Sequence, residues 1–568
     1  MSSHAQFTET ENRLADFDIA LSVSEKAINH QMQDAWNLWL RRKSSAGLDR
    51  VSLNPPNRKG LPSRTVLDAV LGAPRISLAV PMGGPNDVRV SFPIVSGTLQ
   101  YLDEEDPVVE KIDNWLVTFL TVVDRKIVSR DELYRQDQSS ARRVDEIIAR
   151  HGLGEGAFSI ECLFLTLTAA DMIRSRSIEP DPEKLSEDQR RNPPTIATAT
   201  QSKLADCLAH MFTEAAAEQR KFILGTSVHP RALERAPTFT LKDYLFKVTR
   251  TAATHGAAEV ASSPPNTLDY LGVFFSGKSL PATVGEADNA RARLGPWLPA
   301  ERTSGRTAMV AGVMAVRGEM VNGHFSDSLR SGFGAEYTRM NADNNARRAQ
   351  GEVLHPETEL PHPEAELLNG MTVGLAGSAI TITNQKTFRW TDKTGDEDKN
   401  LHLEKHLRLT LSPKAGAGYD VDGELKVMLN RERVMSIRNS RAKATSTAKL
   451  TGTVAFEVGG GAIFCNIVPR VSVQFATPVE ETTADENWLA RTFTNNEWDR
   501  REAGGFTRDS RSAIELMLKR SIEKLNVGLD KFAFIPPGEE VFTFSSPRFT
   551  RAGDLMLDVI YKATKLMK

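Results

Sequence analysis

The sharpest chemical pattern in the chain is Gly272-Val-Phe-Phe-Ser-Gly277-Lys278-Ser279. Its spacing matches the phosphate-binding loop Gly-x-x-x-x-Gly-Lys-Ser, whose backbone N–H groups cradle phosphates while the lysine reaches the outer ones. Such a loop opens a helix, so that the helix N-terminus adds its own N–H groups to the anion site. Here Leu280-Pro281 follows at once, and Phe274 and Phe275 take up positions that a phosphate cradle keeps small. The residues therefore predict a strand, Leu271–Phe275, running into a Ser-Gly-Lys turn. A P-loop NTPase remains the remote alternative.

His402-Leu-Glu404-Lys-His406 invites a metal reading. On a strand the three polar residues share one face, but residues four apart are separated by about 13 Å at ~3.3 Å per residue. Two imidazoles so placed do not reach one ion at ~2 Å from each. A solvated strand face is the expectation, with no metal. His355 and His362 lie in a proline-rich stretch and are expected to be exposed. Gly152-Leu-Gly154-Glu-Gly156 precedes a strand, whereas a dinucleotide fingerprint follows one. There is no Gly-x-Ser-x-Gly nucleophile elbow. The three cysteines, Cys162, Cys207 and Cys465, are far apart in sequence, so neither a disulfide framework nor a zinc-thiolate site is expected. With 73 acidic residues in the chain, carboxylate pairs arise by chance and point nowhere. The residues thus yield no catalytic assignment and no cofactor.

What would position any site is a set of amphipathic elements. Phe17, Ile19 and Leu21 alternate with polar or small residues and predict a short strand. Ser22 with Glu25 has the spacing of a capping box for the helix that follows. Along that helix Ile28, Met32, Ala35 and Trp39 recur at spacings of four, three and four, with Trp36 at the margin; the helix ends near Lys43 and is about 30 Å long. Ile76, Leu78 and Val80, then Val88, Val90, Phe92 and Ile94, alternate on either side of Pro-Met-Gly-Gly-Pro and predict a hairpin or meander. Trp115–Phe119 and Phe158–Leu167 read as further strands. A short helix is expected near Ala141–His151, and another near 200–220 with Leu204, Leu208, Met211 and Phe212 on one face. Residues 175–198 read as loop, and 335–368 as the clearest linker. The last third alternates strongly, as in Leu401, Leu403, Leu407, Leu409 and Leu411, and predicts a long antiparallel sheet with one polar face. A second apolar stripe, Ile514, Leu518, Ile522 and Leu525, then predicts a helix, followed by strands at Phe532–Ile535, Val541–Phe544 and Leu555–Tyr561.

Composition narrows the classes. The chain has 568 residues, enough for two or three domains. Its 71 basic and 73 acidic residues balance to a formal charge of −2, which provides neither a nucleic-acid footprint nor a polybasic membrane patch. No apolar run approaches the ~20 residues that span a bilayer. The first residues lack the basic and apolar regions of a secretory signal. A cytoplasmic protein, or one released without a classical signal peptide, is the expectation.

Several segments together resemble a known group. They are Phe17-Asp-Ile-Ala-Leu-Ser22 leading into a helix with Asn29, then Asn266-Thr-Leu-Asp-Tyr-Leu271, then Ala311–Val316 with Glu319-Met320. The end adds Phe532-Ala-Phe-Ile-Pro-Pro-Gly538, Phe542-Thr-Phe544, Phe549, Asp554-Leu555 and Ile560-Tyr561. In this order they resemble the tubular lipid-binding (TULIP) superfamily, in particular the OrfX and P-forty-seven type proteins encoded beside botulinum-like neurotoxins. The Pro-Pro before Gly538 and the polar stretches at 175–198 and 335–368 depart from that pattern.

The resemblance implies an α+β, β-rich fold in which long curved antiparallel sheets wrap around long amphipathic helices. The linker at 335–368 sets the boundary between two parts, 1–345 and 346–568, and the resemblance implies that the first is a TULIP-like lobe with helical insertions and the second an antiparallel sheet and helix completing the TULIP-like body. It also implies a non-enzymatic protein that takes a lipid or other amphipathic molecule in an apolar groove and acts with sibling proteins as an accessory or insecticidal toxin-complex component. The groove-lining residues expected are Ile28, Met32, Trp36, Trp39, Ile514, Leu518, Ile522 and Leu525. An amphipathic helix on a sheet is also ordinary core packing, so the alternative is a structural or interaction subunit that binds no lipid.

Overall fold

A computed structural model describes residues 14, 16–42, 49–55, 63–80, 87–136, parts of 141–149, 158–166, 176–182, 184–192, 194–214, 221–230, 239, 241–250, 265–274, 277–282, 284–292, 310–350, 369–394, 397–414, 418–435, 438–459, 462–467, 472–475, 479–484, 526–528, 534–535, 542–550 and 552–561. The chain forms two compact units. One comprises Met1–Ala315, Asp530–Ser545 and Leu557–Lys568; the other comprises Val316–Leu529 and Ser546–Met556. Among the described residues the fold is β-rich, with few helices and three sheets, none closed on itself. Neighbouring strands pair antiparallel within the ten-stranded and nine-stranded sheets, as the half-polar alternation predicts.

The ten-stranded sheet of the first unit follows the order Arg50–Leu53, Val66–Leu71, Asp87–Asp103, Trp115–Val128, Phe158–Thr166, Lys221–Pro230 and Phe534–Ile535, with three shorter strands beside this path. The expected hairpin is present: Ile76 lies opposite Val90. Residues 175–198, read from their polarity as loop, contain strand Arg176–Pro180 and helix Glu187–Arg191. The strand forms because Ile178 is buried opposite Val117, and Pro180 ends it. Helix Thr198–Glu214 buries Leu204, Cys207 and Leu208, and the Tyr101 hydroxyl lies 2.8 Å from the Thr200 hydroxyl beneath it. The side chains of Met211 and Phe212, expected on the same face, lie outside the described residues.

The nine-stranded sheet of the second unit follows the order Thr372–Ala376, Ala379–Thr394, Glu397–Pro413, Tyr419–Met435, Arg438–Gly459, Ala462–Ile467 and Asn526–Gly528, with Ser472–Phe475 and Val479–Ala484 pairing Arg438–Gly459 beside this path. The alternation read from sequence sets its register. Leu407, Leu409 and Leu411 are buried and lie opposite Leu425, Gly423 and Val421. The structure overturns part of the expected linker at 335–368: a helix of 32 residues, Gly318–Ala349, runs through its first half. Polar composition there marks helix surface rather than loop. Residues 338–349 are mostly exposed in the helix's last three turns.

The six-stranded sheet runs Leu241–Thr249, Thr267–Phe274, Ile19–Ser24, Val310–Val316, Leu555–Tyr561 and Phe542–Phe549. This order reads alike from either end. Each half of the chain starts with one strand, continues through a long helix and a large sheet, and returns with two strands, the last of each lying beside or near its own start. The two starting strands, Ile19–Ser24 and Val310–Val316, are neighbours. Gly312 permits their close approach, since a Cβ there would lie 2.0 Å from the Ser22 carbonyl oxygen.

Candidate functional site

Helix Glu25–Arg42 is capped two residues later than the expected capping box. Ser22 is a buried strand residue opposite Asp269, and the cap is Ser24, whose Oγ accepts the Ala27 N–H at 3.2 Å. Continued pairing of the strand through Ser24 displaces the box. Glu25 therefore points its carboxylate elsewhere: Leu78 N–H donates to Oε2 at 2.7 Å.

Asn29 completes the clasp. Its Nδ2 donates to the Ile76 carbonyl at 2.8 Å and its Oδ1 accepts the Ile76 N–H at 2.6 Å. One side chain thus supplies both bonds that a neighbouring strand would supply, and it seals the outer edge of strand Arg75–Ser77. The Leu78 carbonyl is taken by Arg250 Nε at 3.1 Å.

On the inner face of this helix Ile28, Met32 and Trp36 are buried in one cluster with Leu67, Phe92 and Phe246. Trp36, expected at the margin, belongs to the centre of the stripe. The next residue of that spacing, Leu40, is 36% exposed. Gln33 and Asn37 cover the outer face and bond to each other at 3.1 Å. The Trp39 side chain lies outside the described residues, as do Ile514, Leu518, Ile522 and Leu525, so the structure places neither.

The long helix Gly318–Ala349 carries the same device, which the sequence reading missed. Ile28-Asn29, Met32, Trp36 and Leu40 recur in type and spacing as Val321-Asn322, Phe325, Leu329 and Phe333. Asn322 Nδ2 donates to the Ser378 carbonyl at 2.8 Å, as Asn29 does to Ile76. Arg330 Nη2 adds a bond of 2.7 Å to the Val373 carbonyl on edge strand Thr372–Ala376. Here the stripe stays buried to its end, with Phe333 2% exposed. Phe325 packs against Tyr419 at 6.0 Å between ring centroids, and Tyr419, Phe456 and Phe549 meet edge-on at 5.0 to 5.7 Å. The Tyr419 hydroxyl donates to Asn322 Oδ1. At the helix start Gly318 N–H donates to Asp554 Oδ1 at 2.9 Å, a carboxylate at the positive end of the helix. Burial pushes the Asp554 pKa up. The signal that reveals this helix is the four-residue period from Val321 to Phe333.

The Gly-Lys-Ser pattern resolves as a filled anion nest. Strand Thr267–Phe274 ends inside the pattern, and the next helix begins only at Val284. Phe274 N–H and Lys278 N–H donate to Asp18 Oδ2 at 3.0 and 2.9 Å. Asp18 is fully buried, and a Cβ at Gly277 would lie 1.9 Å from the same oxygen. The chain's own carboxylate thus occupies the position a phosphate oxygen would need, and the nucleotide reading loses its loop. In the histidine pattern His406 Nε2 meets Glu404 Oε1 at 2.8 Å, so two of its three polar residues satisfy each other on one strand face. No group of three or more metal-ligating side chains occurs among the described residues. Cys207 is buried in the first unit's core, and burial pushes its thiol pKa up to about 12, so it stays protonated and inert. No helix among the described residues is long and apolar enough to cross a membrane.

No family model and no curated protein sequence matches the chain. Among solved structures it is similar to P47 from Clostridium botulinum A2, with 11% identity, 96% of this chain and 97% of that chain covered, and a TM-score of 0.42. It is also similar to a lipopolysaccharide binding protein, with 8% identity, 97% and 100% covered, and a TM-score of 0.28.

Proposed function

We propose that the protein is a non-enzymatic binder of a lipid or another amphipathic molecule, whose apolar part lies along helix Glu25–Arg42. The observation that carries this reading is the stripe Ile28–Met32–Trp36, which leads from a buried core to the exposed Leu40. Met and Trp present broad, adaptable apolar surface, and transfer of an acyl chain onto it gains about 25 cal/mol per Å² of apolar area. Trp39 belongs to the same proposed lining. Ile514, Leu518, Ile522 and Leu525 form its proposed counterpart later in the chain. The resemblance of scattered segments to the tubular lipid-binding proteins supports this reading. An accessory or insecticidal role beside sibling proteins rests on that resemblance alone.

Native mass spectrometry and organic extraction of the purified chain test the binding. A co-purifying lipid, depleted on Leu40→Glu at the exposed end of the stripe with the fold intact by circular dichroism, is the expected result. A ligand-free protein that takes up neither a fluorescent fatty acid nor a short-chain phospholipid overturns it.

One observation favours a second reading, a structural or interaction subunit that binds no lipid: Ile28, Met32 and Trp36 already fill the first unit's core with the protein's own side chains. Unchanged thermal stability in the presence of lipid, together with a stable complex formed with products of adjacent genes, is the outcome that selects it.

A further inference from the structure

Asp269 is a carboxylate built into a place where water does not reach. All eight residues of its strand, Thr267–Phe274, are buried, and Asp269 itself is 0% exposed. Its two oxygens are held by hydroxyls. Thr267 Oγ1 donates to Oδ1 at 2.7 Å, and Thr249 Oγ1 donates to Oδ2. Both threonines are buried as well. In the register Asp269 lies between Ser22 on one neighbouring strand and Lys247 on the other. Lys247 is the charged group acting on it among the described residues.

Hydroxyls serve either protonation state, because each can donate to a carboxylate or accept from a carboxylic acid. Desolvation, in contrast, falls only on the ionised form. A lysine on the neighbouring strand offsets part of that cost. Strand Leu241–Thr249, which carries both Lys247 and Thr249, is the edge of the six-stranded sheet, so the carboxyl's partners sit where the sheet opens most readily.

We infer that Asp269 makes this sheet a pH-responsive element: protonated, it locks strands Leu241–Thr249 and Thr267–Phe274 together; ionised, it loosens the edge strand. The sign follows from linkage. Burial raises the folded-state pKa of Asp269 above its ordinary value. Opening the sheet restores the ordinary value, so opening releases a proton. The locked state is then fully favoured below the ordinary carboxylate range and is lost as pH rises through the folded-state pKa.

Hydrogen exchange of the full chain, read by mass spectrometry and corrected for intrinsic rates, tests this between pH 5 and 8. The expected result is an opening constant for residues 241–249 and 267–274 that rises by up to about tenfold per pH unit, the limit for one released proton. Strand Ala379–Thr394, in the other unit, serves as the internal reference. Asp269→Asn keeps shape and hydrogen bonding but cannot ionise, and is expected to flatten the profile. Thr249→Val removes a donor to the ionised form and is expected to move the steep region to higher pH. A flat wild-type profile overturns the inference even where Asp269→Asn fails to fold. A folded Asp269→Asn with the wild-type slope overturns it as well.

Discussion

Helix Glu25–Arg42 and helix Gly318–Ala349 each leave a strand of the six-stranded sheet, present apolar residues four apart, and use an asparagine in the first turns to hold a backbone carbonyl, that of Ile76 in a strand and that of Ser378 in the turn between Thr372–Ala376 and Ala379–Thr394. They are finished differently. In the second unit the stripe is Val321, Phe325, Leu329 and Phe333, all buried, and four aromatic rings close over its start. In the first unit the corresponding residues are Ile28, Met32, Trp36 and Leu40, softer in shape and exposed at the last position. The same frame therefore yields one core packed by rigid rings and one whose lining is adaptable and reaches solvent. Adaptable linings tolerate repacking around a guest, whereas interlocked rings leave a guest no volume.

The largest effect that probes this contrast is expected at Phe325. Phe325→Ala removes a ring with 0% exposure from the aromatic group and is expected to cost about 3–5 kcal/mol in urea unfolding. Met32→Ala, the matching truncation at the matching position, is expected to fall at the low end of the range for such changes, about 2 kcal/mol, because an adaptable lining collapses into the space. Equal losses from the two would mean that the first unit is packed as tightly as the second, and the contrast would fail.

The asparagines come next. Asn29→Ala leaves both the N–H and the C=O of Ile76 without their side-chain partner, and an unsatisfied buried group costs about 1–3 kcal/mol. Asn322→Ala strips one carbonyl and one tyrosine hydroxyl of partners, and a loss of similar size is expected. Asn29→Ala should also expose the edge of strand Arg75–Ser77, and size-exclusion chromatography at rising concentration would show the resulting self-association. A variant that stays monomeric and as stable as the wild type would remove the edge-sealing role.

These two helices also show what sequence could and could not reveal. The alternation of the long strands from Glu397 to Gly459 was legible, and Leu555–Tyr561 lies where the sequence put it, whereas the half-exposed strand Arg176–Pro180 read as loop. The apolar stripe of the first helix was legible from its period. The second helix was hidden because its last three turns are polar and exposed, and such a composition also suits a loop. Ser22 misled because local spacing suggested a cap while pairing with strand Thr267–Phe274 drew it into the sheet. Asp18 was out of reach altogether. Its partners, the N–H groups of Phe274 and Lys278, are some 250 residues away in the chain and join it only through that same strand pairing. The phosphate-loop pattern nevertheless pointed to a real property, N–H groups converging on an anion; the anion is part of the protein.

The smallest effect on stability, and the one that tests the open end of the first stripe, is expected at Leu40. A polar residue at a position 36% exposed should change stability by no more than about 0.5 kcal/mol. Phe333→Ser, the same change at the closed end of the other helix, buries an unsatisfied hydroxyl in place of a ring that is 2% exposed and should cost several times more. Ligand retention should invert that ranking. If an acyl chain runs along Ile28, Met32 and Trp36 toward solvent, Leu40→Ser removes apolar contact at its exit. The loss of roughly 50 Å² of apolar contact at ~25 cal/mol per Å² corresponds to about a tenfold weaker affinity. Phe333→Ser, provided its second unit still folds, should leave affinity unchanged. Titration of a fluorescent fatty acid into both variants separates the two ends, and equal affinities would mean that the exposed leucine is surface and the stripe is core throughout.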